Sequence, residues 1–176
     1  MPVNKIEIRE STPLDIVAVE QLYPLAFPDE NLVPLVKELL DDPERTTSMV
    51  AIVDSVIVGH IIFTACTVTD LDASVALLGP LAVTPALQKQ GIGSALIHSG
   101  KTRSSASGTS LICVLGDPTY YGQFGFVSER HIEPPYKLPD QWMEAWQSLS
   151  LNDAIDKPCG KLIVPTAWSH EQYWSA

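Results

Sequence analysis

The sequence is organised around residues 81–94, Leu-Ala-Val-Thr-Pro-Ala-Leu-Gln-Lys-Gln-Gly-Ile-Gly-Ser. An apolar run ends at Val83, glycines follow at positions 91 and 93, and apolar residues then recur at helical spacing. This order predicts a strand, a glycine-rich loop and a helix. Because glycine lets the backbone approach a ligand and a helix start presents free N–H groups, the loop is predicted to bind an anion such as a diphosphate. A plain tight connection between strand and helix is the alternative.

Two other phosphate-binding motifs fit this region less well. A dinucleotide-binding fingerprint requires glycine or alanine three residues after its second glycine, where this chain has Leu96. Residues 95–102 imitate a P-loop that would bind a nucleotide through Lys101. A P-loop requires a strand before it and a helix after it, whereas here the preceding residues have the helical pattern. Neither motif is favoured.

The charge distribution supports an anion site in the same region. The 176 residues include 11 Lys and Arg against 21 Asp and Glu, which gives a formal net charge of -10. Residues 81–116 nevertheless contain no acidic residue and have basic residues at Lys89, Lys101 and Arg103. The overall charge argues against a general nucleic-acid binder or a polybasic membrane-surface protein.

The rest of the pattern predicts one mixed α/β domain over residues 1–176. Alternating residues predict a strand at 5–10, and helical spacing predicts helices over 12–28 and 32–40. The next elements predicted are an antiparallel meander at 49–53, 56–69 and 73–83 with a bulge at Pro80, a small-residue loop at 104–110 and a strand at 111–115. A brief helix then leads into a strand at Phe126, a helix-like segment follows at 142–146, and an apolar run ends the pattern at 162–164.

Cysteine usage and the lack of long apolar runs predict a cytoplasmic protein without a metal site. Cys66, Cys113 and Cys159 are odd in number and widely spaced, and they form no CxxC or Cys/His pattern typical of zinc. The first residues contain no apolar signal core, and no stretch reaches the ~20 apolar residues of a membrane span.

The motifs and the order of elements resemble the GCN5-related N-acetyltransferase (GNAT) superfamily. Leu81-Ala-Val-Thr-Pro followed by Gln88-x-x-Gly91-x-Gly93 is similar to its acetyl-CoA signature, and Tyr121-x-x-x-Gly125-Phe126 is similar to its C-terminal tyrosine motif. The resemblance covers residues 5–130. It implies the acyl-CoA N-acyltransferase fold, a mostly antiparallel twisted sheet flanked by helices. Residues 131–176 would form an acceptor-side or closing-strand region, with the closing strand within 160–167.

The resemblance also implies acetyl-CoA as cosubstrate and direct attack of a neutral amine on its thioester. Backbone N–H groups of the loop would hold the pyrophosphate, and the preceding strand would pair with the pantetheine arm and polarise the thioester carbonyl. The loop residues implied are Gln88, Lys89, Gln90, Gly91, Ile92, Gly93 and Ser94. The strand residues are Leu81, Ala82 and Val83, of which Leu81 and Val83 pair with the pantetheine arm.

Tyr121 is the implied catalytic residue, because a phenol can protonate the departing thiolate. Its alternative is a core aromatic. Asp117 stands where the family often has asparagine, so this chain departs from the family pattern at that cofactor contact. The general base is open: the candidates are Asp70, Asp72, Asp117 and His60, and a histidine within a strand is more typical of a core.

The acceptor is predicted only as a class. It is a small-molecule or peptide amine, and the acidic chain favours a cationic one. Trp142, Met143 and Trp146 are candidates for an acceptor pocket, although such aromatics also pack in cores. The resemblance makes a homodimer the candidate oligomer. A non-catalytic module that binds acyl-CoA on the same fold is the alternative function.

Overall fold

The computed structural model describes residues 5–69, 71–152 and 158–175, which form a mixed α/β architecture. Its strands are β1 (Glu7–Glu10), β2 (Thr46–Val53), β3 (Val56–Val68), β4 (Leu71–Val83), β5 (Leu111–Leu115), β6 (Val127–Ser128), β7 (Ile132–Glu133), β8 (Trp146–Ser150) and β9 (Gly160–Ile163). Its helices are α1 (Ile16–Ala26), α2 (Val33–Leu40), α3 (Ile92–Ala106) and α4 (Pro118–Gly122), with 3-10 turns at Pro13–Asp15, Pro85–Leu87, Asp140–Ala145, Thr166–Trp168 and Glu171–Tyr173.

The described residues divide into two compact units. The first extends to Phe63 and includes Gly79–Arg103, and the second comprises Thr64–Leu78 and the residues from Ser104 onward. Strands β3 and β4 run through both units. In the first unit β1, β2, β3 and β4 are neighbours in that order, and β1 is antiparallel to β2.

The start of α1 is fixed by a short polar network in the first unit. The backbone N–H of Thr12 donates to Asp15 Oδ2 at 2.7 Å, and the backbone N–H of Asp15 donates to the Thr12 carbonyl at 2.9 Å. Arg9 adds a two-pronged hydrogen bond to the Asp15 carboxylate at 2.7 and 2.9 Å, which lowers the pKa of Asp15 to about 2. The capped turn lets α1 bury Val19, Leu22 and Tyr23.

The predicted hairpin between β2 and β3 is confirmed. Asp54 and Ser55 connect the two strands with φ angles of 49° and 65°. Two successive left-handed residues are the geometry of the tight turn that matches the twist of a hairpin. The strand predicted over 56–69 is β3, and the one predicted over 73–83 is β4.

In the second unit the sheet is mixed. Strand β4 is parallel to β5, in a register from Val75↔Leu111 to Leu78↔Val114 that ends just before the cis Gly79–Pro80 bond. Strand β8 is antiparallel to both β5 and β6. Strand β9 is antiparallel to β3 and parallel to β7. The pairing of β4 with β5 ends at Leu78, and the bulge at Pro80 stays a prediction.

A tryptophan cluster holds the C-terminal part of the second unit. The Trp174 ring packs edge-to-face on Trp146 and Trp168, with centroid distances of 5.8 and 5.9 Å. Each indole N–H is satisfied: Trp146 donates to the Ile132 carbonyl, Trp168 to Thr64 Oγ1 and Trp174 to the Trp168 carbonyl. Large rings with paired N–H groups explain how a segment rich in turns remains packed.

Two expectations from the sequence were wrong. Helix α3 continues to Ala106, into the small-residue loop predicted from Ser104. The helix-like segment at 142–146 is a 3-10 turn over Asp140–Ala145 that ends where β8 begins at Trp146. Strand β8 was not predicted because its polar residues Gln147 and Ser148 are buried. This segment therefore lacks the alternation of apolar and polar residues that indicates a half-buried strand.

Candidate functional site

The predicted cofactor loop lies at the start of α3 in the first unit. Residues 88–91 are exposed, and Lys89 and Gly91 have left-handed φ angles of 61° and 89°. The space around Gly91 is open, since a Cβ built there meets nothing within 4 Å. The first turn of α3 carries no acidic side chain. Exposed N–H groups, a positive helix end and no nearby carboxylate in that turn suit an anion.

The loop is braced by its own glutamines. Gln88 Nε2 donates to the Val83 carbonyl at 3.1 Å, and Gln90 Nε2 donates to the Ala86 carbonyl at 3.5 Å. On the strand before the loop, Ala82 is buried whereas Leu81 and Val83 are half-buried. The two residues predicted to pair with a pantetheine arm thus share the more accessible face of β4.

The close approach of α3 to β3 depends on two glycines. A Cβ at Gly59 in β3 would lie 2.9 Å from Ile92 Cγ2, and a Cβ at Gly100 in α3 would overlap the Phe63 ring. Residues 95–102, which imitate a P-loop in sequence, lie inside α3. The structure therefore does not support the P-loop alternative.

Tyr121 lies in α4 of the second unit, directly above Gly116. Its ring packs edge-to-face on Tyr120 and Phe126, and a Cβ at Gly116 would overlap it. None of the described residues forms a hydrogen bond with the Tyr121 hydroxyl, whereas every fully buried side-chain N or O atom of the described residues has a partner. Tyr121 as a whole is half-buried.

The environment of Tyr121 keeps its phenol protonated. Burial of the ring raises the pKa of Tyr121 well above its usual range, and the neighbouring Tyr120 adds to the shift. Asp117 precedes α4 as its N-cap, where Oδ1 accepts a hydrogen bond from the Thr119 backbone N–H at 2.9 Å. This side chain fixes the start of the short helix that carries the tyrosine.

Gln147 supports Gly116 and was not found from the sequence. The Gly116 backbone N–H donates to the Ala145 carbonyl at 2.9 Å, and Gln147 Nε2 donates to the Gly116 carbonyl at 3.0 Å. Gln147 is only 2% exposed. The peptide beneath the Tyr121 ring is thus held on both sides by β8 and the residue before it. No local pattern in the sequence identifies Gln147, because its partner lies 31 positions away.

His60 lies in the core of the first unit rather than at a surface. Tyr23 Oη lies 2.6 Å from His60 Nδ1 and Ser48 Oγ lies 2.7 Å from Nε2, while Ser11 Oγ donates to Ser48 Oγ at 2.6 Å. Burial lowers the pKa of His60 to about 3. With both ring nitrogens occupied, the core interpretation is favoured over the general base.

The remaining candidates from the sequence are the carboxylates Asp70 and Asp72 and the proposed acceptor-pocket residues. Asp70 lies outside the described residues, and of Asp72 only the backbone, within β4, is described. Met143 and Trp146 line a cavity in the second unit, and Trp142 is not part of its lining. Among residues 5–69, 71–152 and 158–175 no group of three or more His, Cys, Asp or Glu is arranged to hold a metal ion. None of the helices described there has the length and apolar character of a membrane span.

Comparison with known proteins identifies the family. Residues 16–123 match the acetyltransferase (GNAT) family. The chain is 30% identical over 158 residues to the uncharacterized N-acetyltransferase YjhQ of Escherichia coli K12. The aligned region covers 86% of this chain and 87% of YjhQ.

Solved structures agree with that assignment. A GNAT family acetyltransferase from Brucella melitensis, in complex with acetyl-CoA, is 28% identical with a TM-score of 0.77 and covers 94% of this chain and 99% of its own. The N-acetyltransferase YhbS from Escherichia coli, in complex with CoA, has a TM-score of 0.86 at 24% identity and covers 97% of this chain and 95% of its own, a likeness of fold alone. The predicted mixed α/β fold is confirmed.

Proposed function

The chain belongs to the acetyltransferase (GNAT) family, and on that premise we propose that it transfers the acetyl group of acetyl-CoA to the amine of a small molecule or peptide. The observation that carries the proposal is the exposed loop before α3, where Lys89 and Gly91 have left-handed backbones and the first helical turn has no acidic side chain. The acetyl-CoA complex of the Brucella melitensis acetyltransferase supports it.

In this proposal the loop binds the cosubstrate mainly through its backbone. The N–H groups from Gln88 to Ser94 hold the pyrophosphate, and the Lys89 side chain adds positive charge. Leu81, Ala82 and Val83 contribute the strand edge along which the pantetheine arm pairs. Binding through backbone N–H groups explains how a chain of net charge -10 accepts an anionic cosubstrate.

The chemical step is direct transfer. Acetyl-CoA supplies an activated thioester. The neutral amine nitrogen attacks the thioester carbon, the carbon–sulfur bond breaks, and the amine gives its surplus proton to water or a nearby base. Tyr121 donates its phenolic proton to the departing sulfur and regains a proton from water, a role that requires a hydroxyl that stays protonated at neutral pH.

The proposal includes the cytoplasm as the location. Cys66, Cys113 and Cys159 are free thiols, of which the first two are buried. Unpaired cysteines are usual in reducing compartments. A homodimer is the proposed oligomer, and sedimentation velocity would measure it directly.

Calorimetric titration with acetyl-CoA and CoA, followed by assay of CoA release over a panel of amines, tests the function. We expect saturable binding of both molecules and turnover with at least one amine. Absence of binding would refute the proposal. Saturable binding without turnover across the panel would favour a non-catalytic acyl-CoA-binding module instead.

A further inference from the structure

The second unit contains a cavity of about 650 Å³ that the cofactor loop does not use. Its walls are the β6–β7 segment, the chain that follows β7, the 3-10 turn Asp140–Ala145 and the first residue of β8. This volume is within the range of small-molecule sites. The lining combines buried apolar side chains, Ile132, Leu138 and Trp146, with charged side chains at the rim.

Some charged residues of the cavity lining form hydrogen bonds or ion pairs with other residues of the protein. Glu129 is buried, and its Oε2 accepts hydrogen bonds from the backbone N–H groups of His131 and Ile132 at 2.6 and 2.9 Å. Its Oε1 accepts a hydrogen bond from Ser148 Oγ at 2.7 Å. Arg130 and Glu144 form an ion pair at 3.1 Å. The cavity therefore has a fixed frame on the β6–β7 side.

Four other charged residues of the lining take no part in these contacts. They are Glu133, Lys137, Asp140 and Lys161, all exposed, and the described residues form no side-chain hydrogen bond or ion pair with them. Two are acidic and two are basic. A ligand of one sign would satisfy only half of them and would face like charges in the other half. A ligand that carries both an ammonium and a carboxylate would find groups of opposite charge for each in this lining.

The cavity also adjoins the support of Tyr121. Trp146, in the cavity wall, follows Ala145, whose carbonyl accepts the Gly116 N–H. Tyr121 packs over Gly116, so Trp146 in the cavity wall lies between the two residues, Ala145 and Gln147, that hydrogen-bond to the Gly116 backbone. A ligand in the cavity thus lies against the same short segment that positions the proposed general acid.

We propose that this cavity binds the amine acceptor and that the acceptor is a small zwitterion with an apolar body, an amino acid or a short peptide. The inference rests on the proposed function. The buried tryptophan and the flanking apolar side chains receive the apolar body. Glu133 and Asp140 attract the ammonium, and Lys137 and Lys161 attract the carboxylate.

Methionine NMR tests binding at this place. The chain has three methionines, of which Met143 lies at the cavity and is 59% exposed, whereas Met49 is in the first unit and 6% exposed. Protein labelled with 13C in the methionine methyl groups is titrated with L-phenylalanine, the dipeptide phenylalanylphenylalanine, phenethylamine and 3-phenylpropionate, without acetyl-CoA. A Met143→Leu variant assigns the resonance.

We expect L-phenylalanine or its dipeptide to shift the Met143 methyl resonance saturably and to leave Met49 unchanged. Which of the two binds more tightly distinguishes a free amino acid from a peptide. Phenethylamine and 3-phenylpropionate, which carry one charge each, should bind about tenfold more weakly. No shift of Met143 with either zwitterion, or equal affinity for the single-charge analogues, overturns the proposal.

Charge variants make the assignment specific. Glu133→Gln and Lys161→Met should each weaken binding of the zwitterion about tenfold, whereas Glu44→Gln and Lys5→Met, exposed controls in the first unit, should leave it unchanged. Equal effects of cavity and control variants would contradict the site. The acetyl-transfer assay separates the two proposals. Acetylation of other amines without a Met143 shift leaves the function standing and refutes the cavity, and a shift without acetylation of the bound zwitterion refutes its role as acceptor.

Discussion

Tyr121 owes its position to a missing side chain. The ring occupies the space beside Gly116 that a Cβ would fill. Tyr120 differs from Tyr121 by one position and packs on Phe124 as well. The pair therefore provides a natural comparison of a proposed catalytic phenol with a packing phenol.

Tyr121→Phe should lower kcat about 100-fold or more while the KM for acetyl-CoA changes much less. The variant keeps the ring and removes only the proton donor, and general acid catalysis contributes about 100-fold to 10000-fold. Steady-state kinetics of CoA release measures both constants. Tyr120→Phe is the matched control and should retain most of the activity; equal losses in the two variants would assign Tyr121 to packing.

Gly116→Ala should lower kcat because the new methyl group displaces the Tyr121 ring. Gly122→Ala, at the end of the same helix, is the control, since a Cβ there meets nothing within 4 Å. A loss of kcat with little change in acetyl-CoA affinity marks a positioning effect. If Gly116→Ala has the same kcat as the control, the packing of the Tyr121 ring against Gly116 is not required for turnover.

At the scale of elements, α3 is held against β3 by the absence of side chains. Gly100 is in the middle of α3, where alanine would normally stabilise a helix by about 1 kcal/mol. Here the added Cβ would overlap the Phe63 ring. Crowding of a packed contact therefore opposes the gain in helix propensity.

Gly100→Ala should reduce the free energy of unfolding by about 1 to 3 kcal/mol. Ser105→Ala, at an exposed position near the end of α3, is the control and should change the stability by less than about 0.5 kcal/mol. Urea unfolding followed by circular dichroism measures both. A Gly100→Ala protein as stable as the parent would show that helix propensity outweighs the contact with Phe63.

For the whole molecule, the buried histidine links stability to pH. The pKa of His60 is lowered to about 3 in the folded chain, whereas an unfolded chain titrates near its usual value of about 6.5. Below that value the unfolded state takes up a proton that the folded state does not. The free energy of unfolding should therefore fall with decreasing pH, by about 2 kcal/mol between pH 7 and pH 5.

Urea unfolding of the parent and of His60→Gln at pH 7, 6 and 5 checks this dependence. In His60→Gln the free energy of unfolding should depend less steeply on pH, because the proton taken up by His60 on unfolding is lost. His170→Gln, an exposed control, should keep the pH dependence of the parent. NMR of the imidazole signals in the folded parent gives a second measurement, in which His60 should not titrate between pH 8 and 5. Titration of His60 near pH 6 would contradict the prediction.

Single-domain behaviour over residues 1–176 remains our proposal. Strands β3 and β4 belong to both compact units, so neither unit can lose its strands without affecting the other. In the urea unfolding experiments we therefore expect a single transition that coincides in fluorescence and circular dichroism.

The sequence by itself determined the features that depend on local chemistry. The glycine-rich loop with its acid-free surroundings, the hairpin at Asp54-Ser55 and the strands before and after α3 follow from neighbouring residues. Apolar periodicity and backbone conformational preference act over a few positions, so they are visible in the chain. The two motifs together were sufficient to indicate the family.

Only the tertiary structure decided which distant residues meet. Gln147 under Gly116, Glu129 against Ser148 and the core partners of His60 are buried polar contacts between separate elements. In the sequence these residues interrupt the apolar pattern and resemble surface positions, which is why β8 was not predicted. Of the residues that line the cavity beside it, only Met143 and Trp146 were candidates from the sequence. Their burial is favourable only because each polar group finds its partner in the folded chain, and local sequence does not encode that pairing.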